Sequence, residues 1–155
     1  MDLTYFGHST FQIETDAATL LFDPFFAENP HTETDPATLR PDVLLLTHAH
    51  FDHFSDTEAV LQHSDPLVIS NFEITQYVQQ EYNHDAIQPL NEGGSVEFDW
   101  GYVESTHAGT ALPSPTAPTA VCRTALCSNL TTRWCTTPAT RPPLPKCSGW
   151  VICGM

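Results

Sequence analysis

Short apolar runs separated by turn residues recur along this chain up to Ser105. The spacing of apolar residues also predicts helices over residues 55–63 and 71–82. Ser55 and Glu58 fit a capping box, in which Ser55 is the N-cap of the first helix. The short apolar and alternating runs predict strands over residues 3–6, 11–14, 19–22, 42–46, 67–69, 87–90, 95–98 and 102–105.

The strand predicted at 42–46 leads directly into the densest group of chemically active side chains. His48 and His50 are two positions apart, so at a strand end both would face the same side and could hold one metal ion. Asp52 and His53 fall where the chain must turn, and they could reach a second ion beside the first. Imidazole with carboxylate suits zinc, and less selectively iron or manganese. The pattern predicts a site for one or two ions.

This His-Ala-His-Phe-Asp-His segment behind an apolar strand resembles the signature of the metallo-β-lactamase superfamily. Four shorter segments support the resemblance: Tyr5-Phe6-Gly7-His8-Ser9, Leu20-Leu21-Phe22-Asp23-Pro24-Phe25, Gly93-Gly94-Ser95-Val96 and Thr106-His107. Together they are similar to a branch of metal-dependent hydrolases related to ascorbate-phosphate lactonase. The resemblance implies an α/β fold, a metallo-β-lactamase-like αββα sandwich. Residues 1–112 would form only its N-terminal half, so the fold would be incomplete and followed by an irregular tail.

The resemblance also implies roles for individual residues. A third histidine for the first ion is expected at a strand end, where His107 stands. Asp52 would bind the second ion and orient the nucleophile or move a proton, which makes it the predicted catalytic residue. His8 and Asp23 could contact substrate or a metal ligand, or could be turn residues. The remaining histidines are predicted to lie outside the site: His31, His63 and His84.

The function that the resemblance implies is hydrolysis of an ester, lactone or phosphoester by a metal-activated hydroxide. The cofactor would be Zn²⁺, one ion or two, with Mn²⁺ or Fe²⁺ as alternatives. A half sandwich leaves an apolar face uncovered, so we expect weak or no activity from this chain and a tendency to aggregate. The alternative function is a non-catalytic metal-binding fragment.

Charge is divided sharply along the sequence. All 19 acidic residues lie at or before Glu104, where Arg40 is the only lysine or arginine, so the charge of that segment is 1 − 19 = −18. Such a surface repels nucleic acids and anionic membranes, which favours a small-molecule substrate. It is typical of proteins from a salt-rich cytoplasm, and we hypothesise a halophilic source. We expect a cytoplasmic location, because no signal peptide is evident and residues 1–112 lack cysteine.

Residues 113–155 have a different composition. They contain all 5 cysteines and no acidic residue. The cysteines could bind zinc or form disulfides, although they include no Cys-x-x-Cys pair and their number is odd. The expected His-Ala-Gly-Asp-Thr motif is absent. The codons of residues 133–141, read one frame over, allow Val-Val-Tyr-His-Ala-Gly-Asp-Thr, so we hypothesise that this tail is translated in a non-native reading frame.

Overall fold

The computed structural model describes residues 1–107, 124–128 and 150–152, with side chains described for residues 1–106. A 3₁₀ turn at Pro36–Thr38 interrupts the irregular segment before the fourth strand. The helices are α1 (Phe51–Phe54), α2 (Thr57–Leu61) and α3 (Phe72–Tyr82). The strands are β1 (Asp2–Gly7), β2 (Thr10–Glu14), β3 (Thr19–Phe22), β4 (Val43–Leu45), β5 (Leu67–Ser70), β6 (Ile87–Pro89), β7 (Ser95–Phe98), β8 (Gly101–His107), β9 (Thr124–Ser128) and β10 (Trp150–Ile152).

The strands form two sheets. The first has the order β1-β2-β3-β4-β5-β6, antiparallel from β1 to β3 and parallel from β3 to β6. The second has the order β10-β9-β8-β7 and is antiparallel throughout. Parallel neighbours place the ends of β3, β4 and β5 at one edge, and this edge carries the candidate site.

Alternation along the strands of the first sheet separates two apolar clusters. Leu20, Phe22 and Leu45 face the second sheet, where Val96 and Val103 pack against their cluster. The intervening residues face the helices; Leu21, Leu44 and Leu46 pack there with Val60 of α2 and with Ile74 and Val78 of α3. A helix layer, a sheet and a second sheet are three of the four layers of an αββα sandwich. The described residues thus form a metallo-β-lactamase-like but incomplete fold.

The apolar pattern predicted β1 to β8, α2 and α3 closely, but it did not predict α1, β9 or β10, and the capping box was wrong. Ser55 ends α1, and α2 begins at Thr57 with Asp56 as its N-cap residue and no side-chain capping bond. The Ser55 hydroxyl donates to the Asp56 carboxylate at 3.0 Å, and Glu58 accepts from Gln62 instead. The first helix was placed too early because α1 forms directly after His50.

Two further observations concern the rest of the chain. Among the described residues, none of the helices is both long and apolar enough to cross a membrane. The backbone of β9 and β10 lies within the tail that was predicted to be irregular, and the other residues after His107 lie outside the described part.

Candidate metal centre

The predicted site residues lie at the edge where the parallel strands end. Asp23 directly follows β3, and His48 comes shortly after β4. The turn at His50 starts α1, which carries Asp52 and His53. In α/β sheets, ligands bind outside the carboxyl ends of the strands, because side chains from neighbouring connections converge there.

His48 and His50 point their rings at each other. Nε2 of His48 lies 2.9 Å from Nδ1 of His50, and the ring centroids are 4.5 Å apart. Two imidazole nitrogens on one tetrahedral zinc ion would be about 3.3 Å apart, given zinc–nitrogen bonds of about 2.05 Å. The two rings need only a small adjustment to hold one ion, so their arrangement fits a metal.

His48 is also in the charge state that a metal requires. Its burial, together with the neighbouring His53 and His50, lowers its pKa from 6.5 to about 4. At neutral pH the ring therefore carries no charge, and one of its nitrogens has a free lone pair. Which nitrogen this is depends on the hydrogen bond made by the other.

Asp23 determines which ring nitrogen of His48 and of His53 carries the proton. Its Oδ1 accepts the backbone N–H of Thr47 at 2.7 Å; its Oδ2 accepts the Thr47 hydroxyl at 2.6 Å and lies 2.8 Å from His53 Nδ1. Because the Thr47 hydroxyl gives its proton to Asp23, it accepts one from His48 Nδ1, 2.9 Å away. Asp23 thus keeps a proton on Nδ1 of both histidines and leaves each Nε2 unprotonated, which is the form that binds a metal.

A second group of ligand atoms lies beside this pair. One ligand atom from each of His8, Asp52 and His53 lies within 4.8 Å of the other two. Nε2 of His8 is 3.1 Å from Oδ2 of Asp52, and both side chains are partly exposed. His53 is buried, and its ring centroid lies 5.0 Å from that of His8 and 4.0 Å from that of His48. The two groups therefore adjoin through His53.

Strained backbone marks the same place. Within residues 1–107, the non-glycine residues with positive φ are His8 (52°), Asp23 (42°) and Asn83 (51°). Asn83 ends α3, a usual position for this conformation. The other two are site residues, and such conformations persist where surrounding bonds enforce them. The Tyr5 hydroxyl donates to the His8 carbonyl, and the Asp23 N–H donates to the Leu45 carbonyl.

Sequence reasoning missed two residues that hold the site. The Thr47 hydroxyl links Asp23 to His48, because it donates to the carboxylate and accepts from His48 Nδ1. Asp56 is buried, and its Oδ2 accepts the N–H groups of Phe26 at 2.7 Å and Ala27 at 3.2 Å. It anchors the segment after Asp23 to the start of α2. The signal for Thr47 was its position before His48, whereas no spacing marked Asp56.

The structure brings His48, His50, Asp52 and His53 into one region, together with His8 and Asp23, which were predicted to contact substrate or a metal ligand. His107 ends β8, but its side chain lies outside the described part of the chain. Of the remaining histidines, His63 is exposed and buried His84 contacts the Pro66 carbonyl, whereas His31 is exposed but its side chain packs against Gly7, next to His8.

Known proteins of similar sequence are described as hydrolases. The chain is 89% identical over 108 residues to a UPF0173 metal-dependent hydrolase of Salinibacter ruber, which covers 70% of this chain and 48% of that protein. The chain spans about half the length of the curated relatives it matches.

Solved structures with the same fold include two metal proteins. Igni18, a metallo hydrolase of Ignicoccus hospitalis, is 26% identical with a TM-score of 0.65 over 83% of this chain and 55% of that one. CmlA, a diiron β-hydroxylase of Streptomyces venezuelae, shares the fold at 19% identity and a TM-score of 0.60, over 84% of this chain and 28% of that one. The profile of the β-lactamase superfamily domain matches residues 2–117. With its three described layers and its histidine-rich strand edge, the chain therefore belongs to the metallo-β-lactamase superfamily.

Proposed function

We propose that this chain carries the metal-binding half of a metal-dependent hydrolase that acts on an ester, lactone or phosphoester. The observation that carries the proposal is the convergence of His48 and His50, with Asp23 directing the free nitrogen of His48 and His53 toward a ligand. The names of the relatives support hydrolysis as the reaction class.

The ligands fall into two sets. His48 and His50, with His107 from β8, would hold a first ion, and Asp52 and His53 would hold a second. A bound ion would lower the pKa of its water toward neutrality and polarise the bond to be broken. We propose Zn²⁺, because imidazole and carboxylate are its usual ligands here. Mn²⁺ and Fe²⁺ accept the same donors, and a protein of the same fold holds two irons.

The protein side chains would position and move protons around that centre. Asp52 is partly exposed, so its carboxylate can orient a water or accept its proton, and we assign it the catalytic role. His8 contacts the same carboxylate and would hold it in place or meet the substrate. Asp23 is 2% exposed and cannot reach solvent, so it would act only through Thr47 and His53.

The surroundings support a small-molecule substrate. Residues 1–104 carry a charge of −18 and offer no basic groove for nucleic acid or anionic lipid. We propose a cytoplasmic and salt-rich setting on the same ground. Because the chain matches only about half of the length of its relatives, we propose that it has weak or no activity by itself. The alternative, a non-catalytic metal-binding fragment, is favoured by that same half coverage.

Zinc titration combined with turnover assays tests both proposed functions, the hydrolase and the non-catalytic metal-binding fragment. We expect stoichiometric zinc binding that is weakened at least about 100-fold in His50→Ala, because one ligand is lost. The matched control is His63→Ala, since His63 is exposed and away from the cluster. Turnover of a lactone, aryl ester or phosphodiester that His50→Ala abolishes supports the enzyme. Zinc binding without turnover supports the fragment, and failure to bind zinc contradicts both.

A further inference from the structure

Asp23 lies in an unfavourable backbone conformation. Its φ of 42° falls in the left-handed region, which residues other than glycine rarely adopt. Pro24 follows directly, and the residue before a proline favours an extended backbone. Asp23 would therefore relax toward an extended conformation unless other bonds held its peptide groups in place.

Two bonds hold these peptide groups, one on each side of Asp23. Its N–H donates to the Leu45 carbonyl of β4 at 3.0 Å. Its carbonyl accepts the hydroxyl of Thr10, the first residue of β2, at 2.6 Å. The same hydroxyl accepts the Phe25 N–H at 3.2 Å, so it bridges both ends of the turn. Thr10 is 0% exposed, so water does not compete for these bonds.

The direction of the Asp23 side chain depends on this turn. The carboxylate lies 2.6 Å from the Thr47 hydroxyl and 2.8 Å from His53 Nδ1. Relaxation of φ would turn the carboxylate away from both partners, and His53 would lose the acceptor that keeps a proton on its Nδ1. We propose that Thr10 is a positioning residue of the metal centre, which acts by holding the Asp23 turn. This proposal rests on the metal-binding function proposed above.

Thr10 also joins the two strained turns of the site. Gly7 pairs with Thr10 where β1 turns into β2, and His8 lies between them with a φ of 52°. A Cβ at Gly7 would lie 2.5 Å from the Cβ of His31, so this turn has little room to shift. The Thr10 hydroxyl thus fastens the Asp23 turn to a turn that is itself tightly held.

Substitutions at Thr10 separate positioning from stability. Thr10→Val keeps the shape and removes the hydroxyl, so zinc affinity should fall about tenfold, the lower end of the range for outer-shell partners. Thr10→Ser keeps the hydroxyl and loses a buried methyl group. It should lower the urea midpoint but change zinc affinity less than about twofold. Thr10→Ala differs from Thr10→Ser only in the hydroxyl, so this pair gives the same comparison if Thr10→Val does not fold.

The matched control is Thr75→Val. Thr75 is also 0% exposed, and its hydroxyl bonds backbone carbonyls at the start of α3. Because it lies away from the Asp23 turn, its substitution should change zinc affinity less than about twofold. Circular dichroism verifies that each variant folds.

A double-mutant cycle tests whether Thr10 acts through Asp23. In the Asp23→Asn background, Thr10→Val should change zinc affinity less than about twofold, because the carboxylate that Thr10 positions is already lost. A further loss of about tenfold there would show that Thr10 acts independently and would overturn the proposal. Unchanged zinc affinity in Thr10→Val overturns it too, as does a loss in Thr10→Ser equal to that in Thr10→Val.

Imidazole NMR supplies a readout that needs no bound metal. Long-range proton–nitrogen spectra show which ring nitrogen of His53 carries the proton. It should be Nδ1 in the unchanged chain and in Thr10→Ser, and a fraction should move to Nε2 in Thr10→Val. Unchanged His53 spectra in Thr10→Val refute the proposal even if zinc binds. The expected spectra in a chain that binds no zinc support the role of Thr10 and contradict the proposed function instead.

Discussion

The Asp23 carboxylate offers a perturbation that separates metal binding from folding. It accepts three hydrogen bonds, two from Thr47 and one from His53, and is 2% exposed. Asp23→Ala removes the acceptor and leaves three donors buried. Asp23→Asn keeps the shape and one carbonyl oxygen, but it turns an amide N–H₂ toward the Thr47 hydroxyl and His53.

The expected magnitudes differ between the two variants. Each of the three buried donors left without an acceptor costs about 1–3 kcal/mol, so Asp23→Ala should lower the free energy of unfolding by at least about 3 kcal/mol. Asp23→Asn should cost only about 1–3 kcal/mol, because His53 can move its proton to Nε2 and accept from the amide. That movement removes the metal-binding lone pair. Zinc affinity should therefore fall about 10–100-fold in Asp23→Asn although most of the stability remains.

The assay pairs urea unfolding of the metal-free chain with zinc titration. Asp56→Asn is the control, because Asp56 is also buried and accepts backbone N–H groups, yet its described side-chain hydrogen bonds are to Phe26, Ala27 and Ser55 and to no histidine. It should lower stability comparably and change zinc affinity less than about threefold. Asp23→Asn that binds zinc as tightly as the unchanged chain would refute the proton-placing role.

Other predictions concern pH, salt and the gene. The pKa of His48 is about 4 in the folded chain and 6.5 ordinarily, so the unfolded chain binds more protons between these values. Stability of the metal-free chain should fall by up to about 3 kcal/mol from pH 6.5 to 4, and the same slope in His48→Gln would contradict this. Molar potassium chloride should raise the unfolding midpoint, because it screens the −18 charge of residues 1–104; indifference counts against salt adaptation. The nucleotide sequence over residues 133–141 should spell Val-Val-Tyr-His-Ala-Gly-Asp-Thr one frame over, and other codons would remove the reading-frame hypothesis.

Much of the fold could be predicted because burial on this sheet follows a simple period. Leu44 and Leu45 face opposite clusters, so the run at 42–46 has to be a strand covered on both faces. The helix at 71–82 was predicted from the spacing of Phe72, Ile74 and Val78, and the structure has it at Phe72–Tyr82 with Asn71 as its N-cap residue. The metal ligands His48 and His50 remain predictions, but their side chains converge as the two-residue spacing implies.

The rest of the centre depends on contacts that sequence spacing does not show. Asp23 meets Thr47 across 24 positions and His53 across 30, and only the pairing of β3 with β4 brings them together. Asp56 likewise reaches Phe26 from 30 positions away. The start of α2 was misplaced for a related reason: a tertiary contact of Asp56 replaced the local cap.

The bonds that place the protons of the metal centre lie close together in the fold, and this has a functional consequence. Every bond that fixes the protons of His48 and His53 is made within residues 23–53, on one sheet edge. These bonds are therefore complete without the further length of chain that the relatives carry. We therefore expect metal affinity and turnover to separate: this chain should retain metal binding, and turnover should require that further length.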